Sequence, residues 1–123
     1  MLIKKLGSVK TVDWGNGLSR RFLLDSDDVG YSVTDTLVLA GTSSNLQYRD
    51  HVETCYCIAG RGQLVEEDGT SHTIEPGTMY SLNENDAHTL TASPSEDLRL
   101  VCVFVPPLRG NEIHDLGSEY STY

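Results

Sequence analysis

One glutamate and one histidine, Glu53 and His88, are the side chains of this chain best placed to hold a metal ion. Each lies in a short run of residues that is typical of a β-strand. A carboxylate oxygen and an imidazole nitrogen suit Fe(II), Mn(II) or Zn(II) better than Ca(II). Two protein ligands hold such an ion poorly, so the pattern predicts a third ligand elsewhere in the chain.

Two residues are candidates for that third ligand. Tyr80 lies in the middle of a predicted strand over 78–82, directly before the turn that leads to His88. Phenolate is a rare ligand, and a strand aromatic is more often part of the core. His51 stands beside a turn, where solvent exposure is equally compatible with the sequence. The residues by themselves leave both candidates open.

The spacing around these residues resembles that of the cupin barrels. The first cupin motif places two histidines, a glutamate and a closing glycine at fixed intervals after an opening glycine. Counted from Gly41, those intervals fall on Gln47, Arg49, Glu53 and Gly60. The second motif places a proline, a glycine and a histidine after its opening glycine. Counted from Gly77, they fall on Asn83, Asn85 and His88. The glycines, the glutamate and one histidine match, and the other two histidines are replaced.

The elements that position these residues are predicted to be short β-strands. Turn-forming residues recur at intervals of about ten residues, as in sandwiches and barrels, and no helical period is evident. The strands are predicted over 22–24, 36–40, 53–58, 63–66, 78–82, 88–92 and 98–105. We therefore expect an all-β fold, a cupin-type double-stranded β-helix (jelly-roll barrel), as one domain over 1–123. The segment 1–20 and the tail 110–123 are expected either to cover the barrel mouth or to be mobile.

Alternation along the strands predicts which side chains face the interior. Glu53, Cys55 and Cys57 share one face of their strand, and a core strand rarely places an acid there without a role. Cys102 and Phe104 share a face of the last long strand with Leu98 and Leu100. The three cysteines are expected to be buried, reduced thiols that mainly serve packing.

Composition restricts the partners. Nine Lys and Arg against eighteen Asp and Glu give a net charge of −9, which repels nucleic acid and anionic lipid. No apolar run approaches the roughly 18–20 residues that span a bilayer. The first residues lack the apolar stretch and cleavage site of a signal peptide. We expect a cytoplasmic protein that binds neither membranes nor nucleic acid.

Several stretches of the sequence resemble the ectoine synthases, a family of cupins. They are Ala40-Gly41, His51-Val52-Glu53, the run from Tyr56 to Gly62, the run from Pro76 to Leu82, Asp86-Ala87-His88, and the run from Arg99 to Leu108 with its Pro106-Pro107 pair. The closing Gly110-Asn111-Glu112-Ile113-His114-Asp115 resembles that family's ending. The resemblance covers nearly the whole chain in order, and Pro-Pro followed by Glu-x-His-Asp is distinctive among cupins.

The resemblance implies an activity and a set of site residues. Ectoine synthases are hydro-lyases that close N-γ-acetyl-L-2,4-diaminobutyrate into the compatible solute ectoine with loss of water. They are iron-dependent homodimers, so Fe(II) is expected here, with Zn(II) or Mn(II) as other possibilities. The family's metal ligands correspond to Glu53, Tyr80 and His88. Its substrate contacts correspond to Arg21, Thr36, Tyr48, Cys102, Phe104, Glu112 and His114.

The resemblance also suggests roles. Arg21 would hold the substrate carboxylate with Thr36, although its position beside Arg20 is equally that of a surface ion pair. Glu112 or His114 would accept the proton of the attacking amine, and Tyr48 would relay it. Strict strand alternation places Tyr48 on the face opposite to Gln47 and Arg49.

Three positions depart from the family pattern and keep alternatives open. Gly17 replaces a tryptophan, with Trp14 three residues earlier, Val105 replaces an asparagine, and Arg109 replaces a threonine. The alternatives are a metal cupin acting on a related N-acetylated diamino acid, a dioxygenase, and a small-molecule-binding cupin without turnover.

Overall fold

The computed structural model describes residues 1–123 and consists of eleven β-strands and two short 3-10 helices. The strands are β1 (Lys10–Asp13), β2 (Gly17–Leu23), β3 (Ser32–Val38), β4 (Ser43–Gln47), β5 (Val52–Ala59), β6 (Gly62–Glu66), β7 (Ser71–Ile74), β8 (Met79–Leu82), β9 (His88–Ala92), β10 (Leu98–Val105) and β11 (Ser121–Thr122). The 3-10 helices span Leu6–Ser8 and Asp25–Asp27. None of the helical segments has the length and apolar character needed to cross a membrane.

The strands form two sheets around one interior. The first sheet has the order β1-β2-β3-β10-β5-β8 and the second has the order β11-β4-β9-β6-β7. Both contribute to a single cluster of 16 buried apolar residues, for example Cys57 and Leu100 from the first sheet and Leu46 and Leu90 from the second. The predicted all-β class is confirmed. Side chains that point inward from either sheet therefore share one lumen.

The sequence pattern misses the strands β1, β4, β7 and β11 and the first residues of β2 and β3. β4 occupies residues predicted as a turn over 41–45, because its inward side chains include the small polar Ser44 and no apolar alternation is visible there. β2 begins at Gly17, whereas the pattern predicts a start at residue 22. The difference arises because the buried side chains in the first part of β2 are the polar Ser19 and Arg21. Both strands place polar groups toward the interior, which is the arrangement that hydrophobic periodicity cannot detect.

The alternation predicted for the two central strands is confirmed. In β5, Glu53, Cys55 and Cys57 are buried, whereas Tyr56 is exposed. In β10 the residues Leu98, Leu100, Cys102 and Phe104 are all buried. β10 pairs with β5 so that Cys102 lies opposite Cys55 and Phe104 lies opposite Glu53. This register brings the carboxylate and two thiols to one patch of the interior wall.

A pair of arginines clamps one acid across the outer face of the first sheet. Asp35 on β3 accepts hydrogen bonds from Arg20 on β2 at 2.6 Å and from Arg99 on β10 at 2.6 Å, and Arg99 adds a second at 3.0 Å. Burial alone would raise the pKa of the Asp35 carboxyl, but the hydrogen bonds from Arg99 and Arg20 outweigh it and lower that pKa. Three neighbouring strands are tied together through this one side chain.

Replacement of Asp35 by asparagine is expected to lower the free energy of unfolding by about 1–3 kcal/mol, because charge-assisted hydrogen bonds are worth about that much. Since the folded pKa is lowered, the contribution is complete above the unfolded pKa of about 3.9 and is lost as pH falls through the folded value. Urea unfolding of both proteins at several pH values measures this. The two proteins should differ less in free energy of unfolding as the pH falls. A difference that persists unchanged at the lowest pH would contradict the proposed role of the Asp35 carboxylate.

The tail after Gly110 returns to the end of the barrel. Ser121 pairs with Leu46 of β4 as part of the parallel strand β11 and is fully buried. Its hydroxyl accepts the backbone N–H of Asp115 at 2.8 Å and lies 2.8 Å from Nδ1 of His114. These contacts place His114 and the terminal Tyr123 against the interior.

Candidate active site

One partly enclosed cavity lies between the two sheets. It is lined by 16 residues: Trp14, Ser19, Arg21, Thr36, Val38, Leu46, Tyr48, Glu53, Cys55, Tyr80, Leu90, Leu100, Cys102, Phe104, His114 and Tyr123. All residues predicted to contact metal or substrate are in this set, except His88 and Glu112.

The acid in this cavity has no cationic partner. Glu53 is 5% exposed and stands beside the thiols of Cys55 and Cys102. Burial raises the pKa of the Glu53 carboxyl to about 8, although hydrogen bonds with Cys55 and Cys102 act in the opposite direction. A carboxyl group in this setting is stabilised as an anion by any cation that enters, which is the behaviour expected of a metal ligand.

Tyr80 projects into the same cavity from β8. It lies opposite Cys55 in the strand register, so its hydroxyl is close to the Cys55 thiol and to Glu53. Burial, with Cys55 and Glu53 as further causes, raises the pKa of the Tyr80 phenol well above its ordinary value of 10. The phenol is therefore neutral until a cation replaces its proton.

His88 comes from the opposite sheet, on β9, and is 1% exposed. Its Nδ1–H donates to the carbonyl oxygen of Asp86 at 3.0 Å, which leaves Nε2 as the free lone pair. Nε2 is buried and has no hydrogen-bond partner. Burial lowers the pKa of the imidazole, so it is neutral. A histidine held by its other nitrogen on a backbone carbonyl has the orientation typical of metal ligands.

The donor set fits a divalent metal ion, although the three side chains are not equally close. Glu53 and Tyr80 line the cavity, while His88 lies outside that lining. Among Glu, Asp, His and Cys side chains, the group whose ligand atoms all lie within 4.8 Å of one another is Glu53, Cys55 and Cys102. The carboxyl without a cation and the unpartnered imidazole nitrogen are the two features that a metal would satisfy.

A second cluster at the cavity is built around the hydrogen bond between Tyr48 and His114. The hydroxyl of Tyr48 lies 3.0 Å from Nε2 of His114, whose Nδ1 lies 2.8 Å from the Ser121 hydroxyl. Burial, together with the charge of Arg21, lowers the pKa of His114 to about 3, so this imidazole is neutral at pH 7. Phe104 packs edge-on against the Tyr48 ring at 5.3 Å and gives the cluster an apolar wall.

Arg21 is the cationic group of the cavity. It is 2% exposed, so the surface ion pair that its sequence position allows is wrong. Its Nε donates to the Ser19 hydroxyl at 3.2 Å and its Nη2 donates to the backbone carbonyl of Glu112. Its Nη1 is buried without a hydrogen-bond partner and lies 3.6 Å from the Glu112 carboxylate. One arm of the guanidinium fork is therefore paired with Glu112 by charge alone and still has hydrogen bonds to donate.

Glu112 supports Arg21 and does not enter the cavity. Its carboxylate accepts the backbone N–H groups of Arg109 at 2.9 Å and Gly110 at 2.8 Å. Burial raises its pKa, but these hydrogen bonds and Arg21 together lower it, so the group is ionised. Its oxygens are already engaged with the backbone of the tail and lie near Arg21.

Comparison with known proteins identifies the family. The sequence matches the family model of the ectoine synthases over residues 2–123. The chain belongs to the ectoine synthase family. The L-ectoine synthase of Wolinella succinogenes is 45% identical over 107 residues, which cover 86% of this chain and 80% of that protein. The L-ectoine synthase of Desulfatibacillum aliphaticivorans is 43% identical, over 98% of this chain and 96% of that protein.

Solved structures agree with this assignment. The crystal structure of ectoine synthase from P. lautus superposes with a TM-score of 0.85 at 40% identity, covering 89% of this chain and 81% of that chain. A cupin 2 conserved barrel protein from Salinispora arenicola CNS-205 superposes with a TM-score of 0.69 at 19% identity, covering 85% of this chain and 88% of that chain. The latter likeness concerns the fold alone. The predicted cupin barrel is confirmed.

The departure from the ectoine synthase pattern at Gly17 has a structural explanation. A Cβ atom at Gly17 would lie 1.8 Å from the Leu37 carbonyl oxygen and 3.1 Å from the Trp14 indole. Trp14 is 5% exposed, lines the cavity and packs against the His114 ring at 5.3 Å. Its indole N–H is buried without an acceptor. An aromatic donor is thus present in the ectoine synthase cavity, supplied from position 14.

Three residues that line the cavity, Trp14, Cys55 and Tyr123, are not among the predicted site residues. In the sequence, Trp14 is a neighbour of the changed position 17, and Cys55 is expected to serve packing. Tyr123 stands at the end of a polar tail, yet its ring packs at 5.0 Å from Tyr48 and 4.7 Å from His114. Only Trp14 carried a usable signal, because it lies near the position where the family has its tryptophan.

Two other histidines lie away from this cavity. His51 is 8% exposed, so the solvent exposure that its position beside a turn allows is wrong, and its Nδ1–H donates to the Pro106 carbonyl at 2.7 Å. It packs against Phe104 and Tyr123, and like His88 it does not line the cavity. His72 is exposed and lies 2.6 Å from Glu66.

Proposed function

We propose that this chain is an L-ectoine synthase that closes N-γ-acetyl-L-2,4-diaminobutyrate into ectoine with loss of water, in compatible-solute biosynthesis. The observation that carries the proposal is the family match over residues 2–123, joined to a cavity that contains Arg21, Tyr48 and His114. This hydro-lyase reaction needs an anchored carboxylate, a neutral amine and a route for protons to the departing oxygen. The cavity supplies a candidate for each.

Anchoring is the role proposed for Arg21 and Thr36. The free Nη1 of Arg21 would receive the substrate carboxylate, and Thr36 would add a hydroxyl at the same wall. Cys102 lies 3.8 Å from the Thr36 hydroxyl and Phe104 closes the apolar side. Holding the flexible substrate in a near-ring conformation supplies much of the acceleration of a cyclisation.

Proton transfer is the role proposed for Tyr48 and His114. The α-ammonium group must lose one proton before its nitrogen attacks the amide carbonyl carbon, and the same nitrogen loses a second proton after the C–N bond forms. The carbonyl oxygen gains these two protons and leaves as water. His114 would accept each proton at Nε2 through the Tyr48 hydroxyl, 3.0 Å away, and the same hydroxyl would return it to the departing oxygen. Glu112 would act by fixing Arg21 and the tail.

Glu53, Tyr80 and His88 are the residues proposed to hold the metal ion. Fe(II) is the proposed metal, with Zn(II) or Mn(II) as alternatives, because the donors are one carboxylate, one phenol and one imidazole. A divalent ion bound there supplies Lewis acidity toward a carbonyl oxygen. The buried Nε2 of His88 and the unpaired carboxyl of Glu53 support this assignment.

The proposed activity is tested directly with purified, iron-loaded protein. Incubation with N-γ-acetyl-L-2,4-diaminobutyrate without oxygen is expected to give ectoine, detected by NMR, while the same mixture without protein gives none. Absence of product would contradict the proposal. Oxygen consumption with thiol or keto-acid substrates would instead favour a dioxygenase.

We also propose that the whole chain, 1–123, works in the cytoplasm as one barrel domain whose tail covers the cavity mouth. Burial of Ser121 and contact of Tyr123 with Tyr48 support the position of the tail. Free cysteines at 55, 57 and 102 are compatible with a reducing compartment.

A homodimer is proposed from the outer face of the first sheet. Large apolar side chains are exposed there on β5, β8 and β10, namely Val52, Tyr56, Ile58, Met79 and Val105. Such a patch on a chain of net charge −9 is typical of an interaction surface.

Replacement of both Tyr56 and Ile58 by glutamate is expected to convert the dimer to a monomer, because like charges would face each other across the interface. Light scattering after gel filtration measures the mass. The matched control is Thr73→Glu, an exposed position on the second sheet. A wild-type protein that is already monomeric, or a double variant that stays dimeric, would reject this interface.

A further inference from the structure

Two thiols face each other inside the cavity. Cys55 on β5 and Cys102 on β10 are directly opposite in the strand register, and their sulphur atoms are 3.3 Å apart. Each is 1% exposed, and both are free. The Glu53 carboxylate belongs to the same group, with all three ligand atoms within 4.8 Å of one another. The catalytic roles proposed above make no use of Cys55.

This grouping has the composition and spacing of a thiolate metal site. In a tetrahedral zinc site with Zn–S bonds of about 2.3 Å, two sulphur ligands are about 3.8 Å apart. The sulphur atoms of Cys55 and Cys102 need to separate by only about half an ångström to reach that geometry. One carboxylate and two thiolates would more than balance a divalent charge in a buried place, and soft sulphur ligands favour zinc and its heavier relatives.

We infer that Glu53, Cys55 and Cys102 form a second divalent-metal site, specific for thiophilic ions such as Zn²⁺ and Cd²⁺. The site shares Glu53 with the ligand set proposed for iron. Only this shared use of Glu53 rests on the proposed function. On binding, each thiol releases its proton to solvent and forms one metal–sulphur bond. An ion bound at this second site would withdraw Glu53 and Cys102 from the catalytic arrangement, so it would exclude any metal, iron or zinc, from the Glu53, Tyr80 and His88 ligand set and inhibit the enzyme.

Cys57 shows that burial alone does not make a thiol part of this metal site. It shares the inward face of β5 and is fully buried, but its sulphur lies 3.4 Å from the carbonyl oxygen of Ala59 and outside the group. It therefore provides a matched control, with the same residue type on the same strand and no partner thiol.

The test is a titration of the metal-free full-length protein with Cd²⁺, followed through the ultraviolet charge-transfer absorption of cadmium–thiolate bonds. We expect one equivalent to saturate the band. Cys55→Ser and Cys102→Ser are each expected to weaken binding by at least about 100-fold, because even changes behind a ligand cost roughly 10- to 100-fold. Cys57→Ser and His88→Leu are expected to keep the band, which separates this site from the proposed iron site and from ectoine synthesis itself.

A second measurement needs no variant. X-ray absorption at the cadmium edge of the wild-type protein is expected to count two sulphur neighbours with oxygen completing the shell. A shell of nitrogen and oxygen only, a band that disappears in His88→Leu, or a band that survives in Cys55→Ser would overturn the inference. Retention of these results in a protein that makes no ectoine would leave the inference intact and reject only the proposed function.

Discussion

Replacement of His88 by leucine is expected to remove bound iron and to lower ectoine synthesis by roughly 1,000-fold or more. The Nε2 atom that would bind the ion is buried and has no other partner, so its loss removes a ligand without breaking a protein contact there. Loss of Lewis acidity costs several kcal/mol, and each 1.4 kcal/mol is about tenfold in rate. Leucine has a similar volume, so the barrel is expected to fold.

Metal content measured by mass spectrometry and product measured by NMR test this expectation together. Glu53→Gln should behave like His88→Leu, because a neutral amide is a much poorer ligand than a carboxylate. Tyr80→Phe should impair activity more than stability, since only the hydroxyl is lost. The matched control is His72→Gln, an exposed histidine away from the cavity. Full iron occupancy in His88→Leu would remove His88 from the ligand set.

The barrel was predictable wherever apolar or thiol side chains alternate with polar ones. β5 and β10 follow this pattern. Their buried residues, which include Glu53 in β5 and Phe104 in β10, are those that the alternation predicts. β2 and β4 were harder, because Ser19, Arg21 and Ser44 point inward. Hydrophobic periodicity reports the usual composition of a core, and a functional lumen departs from it.

The site was predictable as a set of residues and less so as a geometry. Local spacing placed Glu53 and His88, and resemblance added Tyr80 and Arg21. The closeness of Cys55 and Cys102, which are 47 residues apart, depends on the register of β5 against β10, which shifts between Arg99 and Leu100. No sequence interval encodes such a register. The position of Tyr123 likewise depends on the return of the whole tail.

Substitution of Arg21 by lysine is expected to raise KM for the acetylated diamino acid by about 10- to 150-fold, with a smaller change in kcat. The substitution keeps the positive charge and removes the second arm of the guanidinium, which is the arm without a hydrogen-bond partner in the structure. A charge-assisted hydrogen bond of this kind is worth about 1.5–3 kcal/mol. Lysine cannot both support Glu112 and reach the ligand.

Two comparisons distinguish between the two possible causes of a raised KM, which are weaker binding of the substrate carboxylate and loosening of the tail. Arg20→Lys alters the neighbouring arginine, which pairs with Asp35 on the outer face, and is expected to leave KM within about twofold while lowering stability. N-acetyl-1,3-diaminopropane lacks the carboxylate and should react equally well with wild type and Arg21→Lys, because the lost interaction has no partner. If Arg21→Lys impairs this analogue as strongly as the full substrate, Arg21 acts by holding the tail at Glu112 and a different group binds the carboxylate.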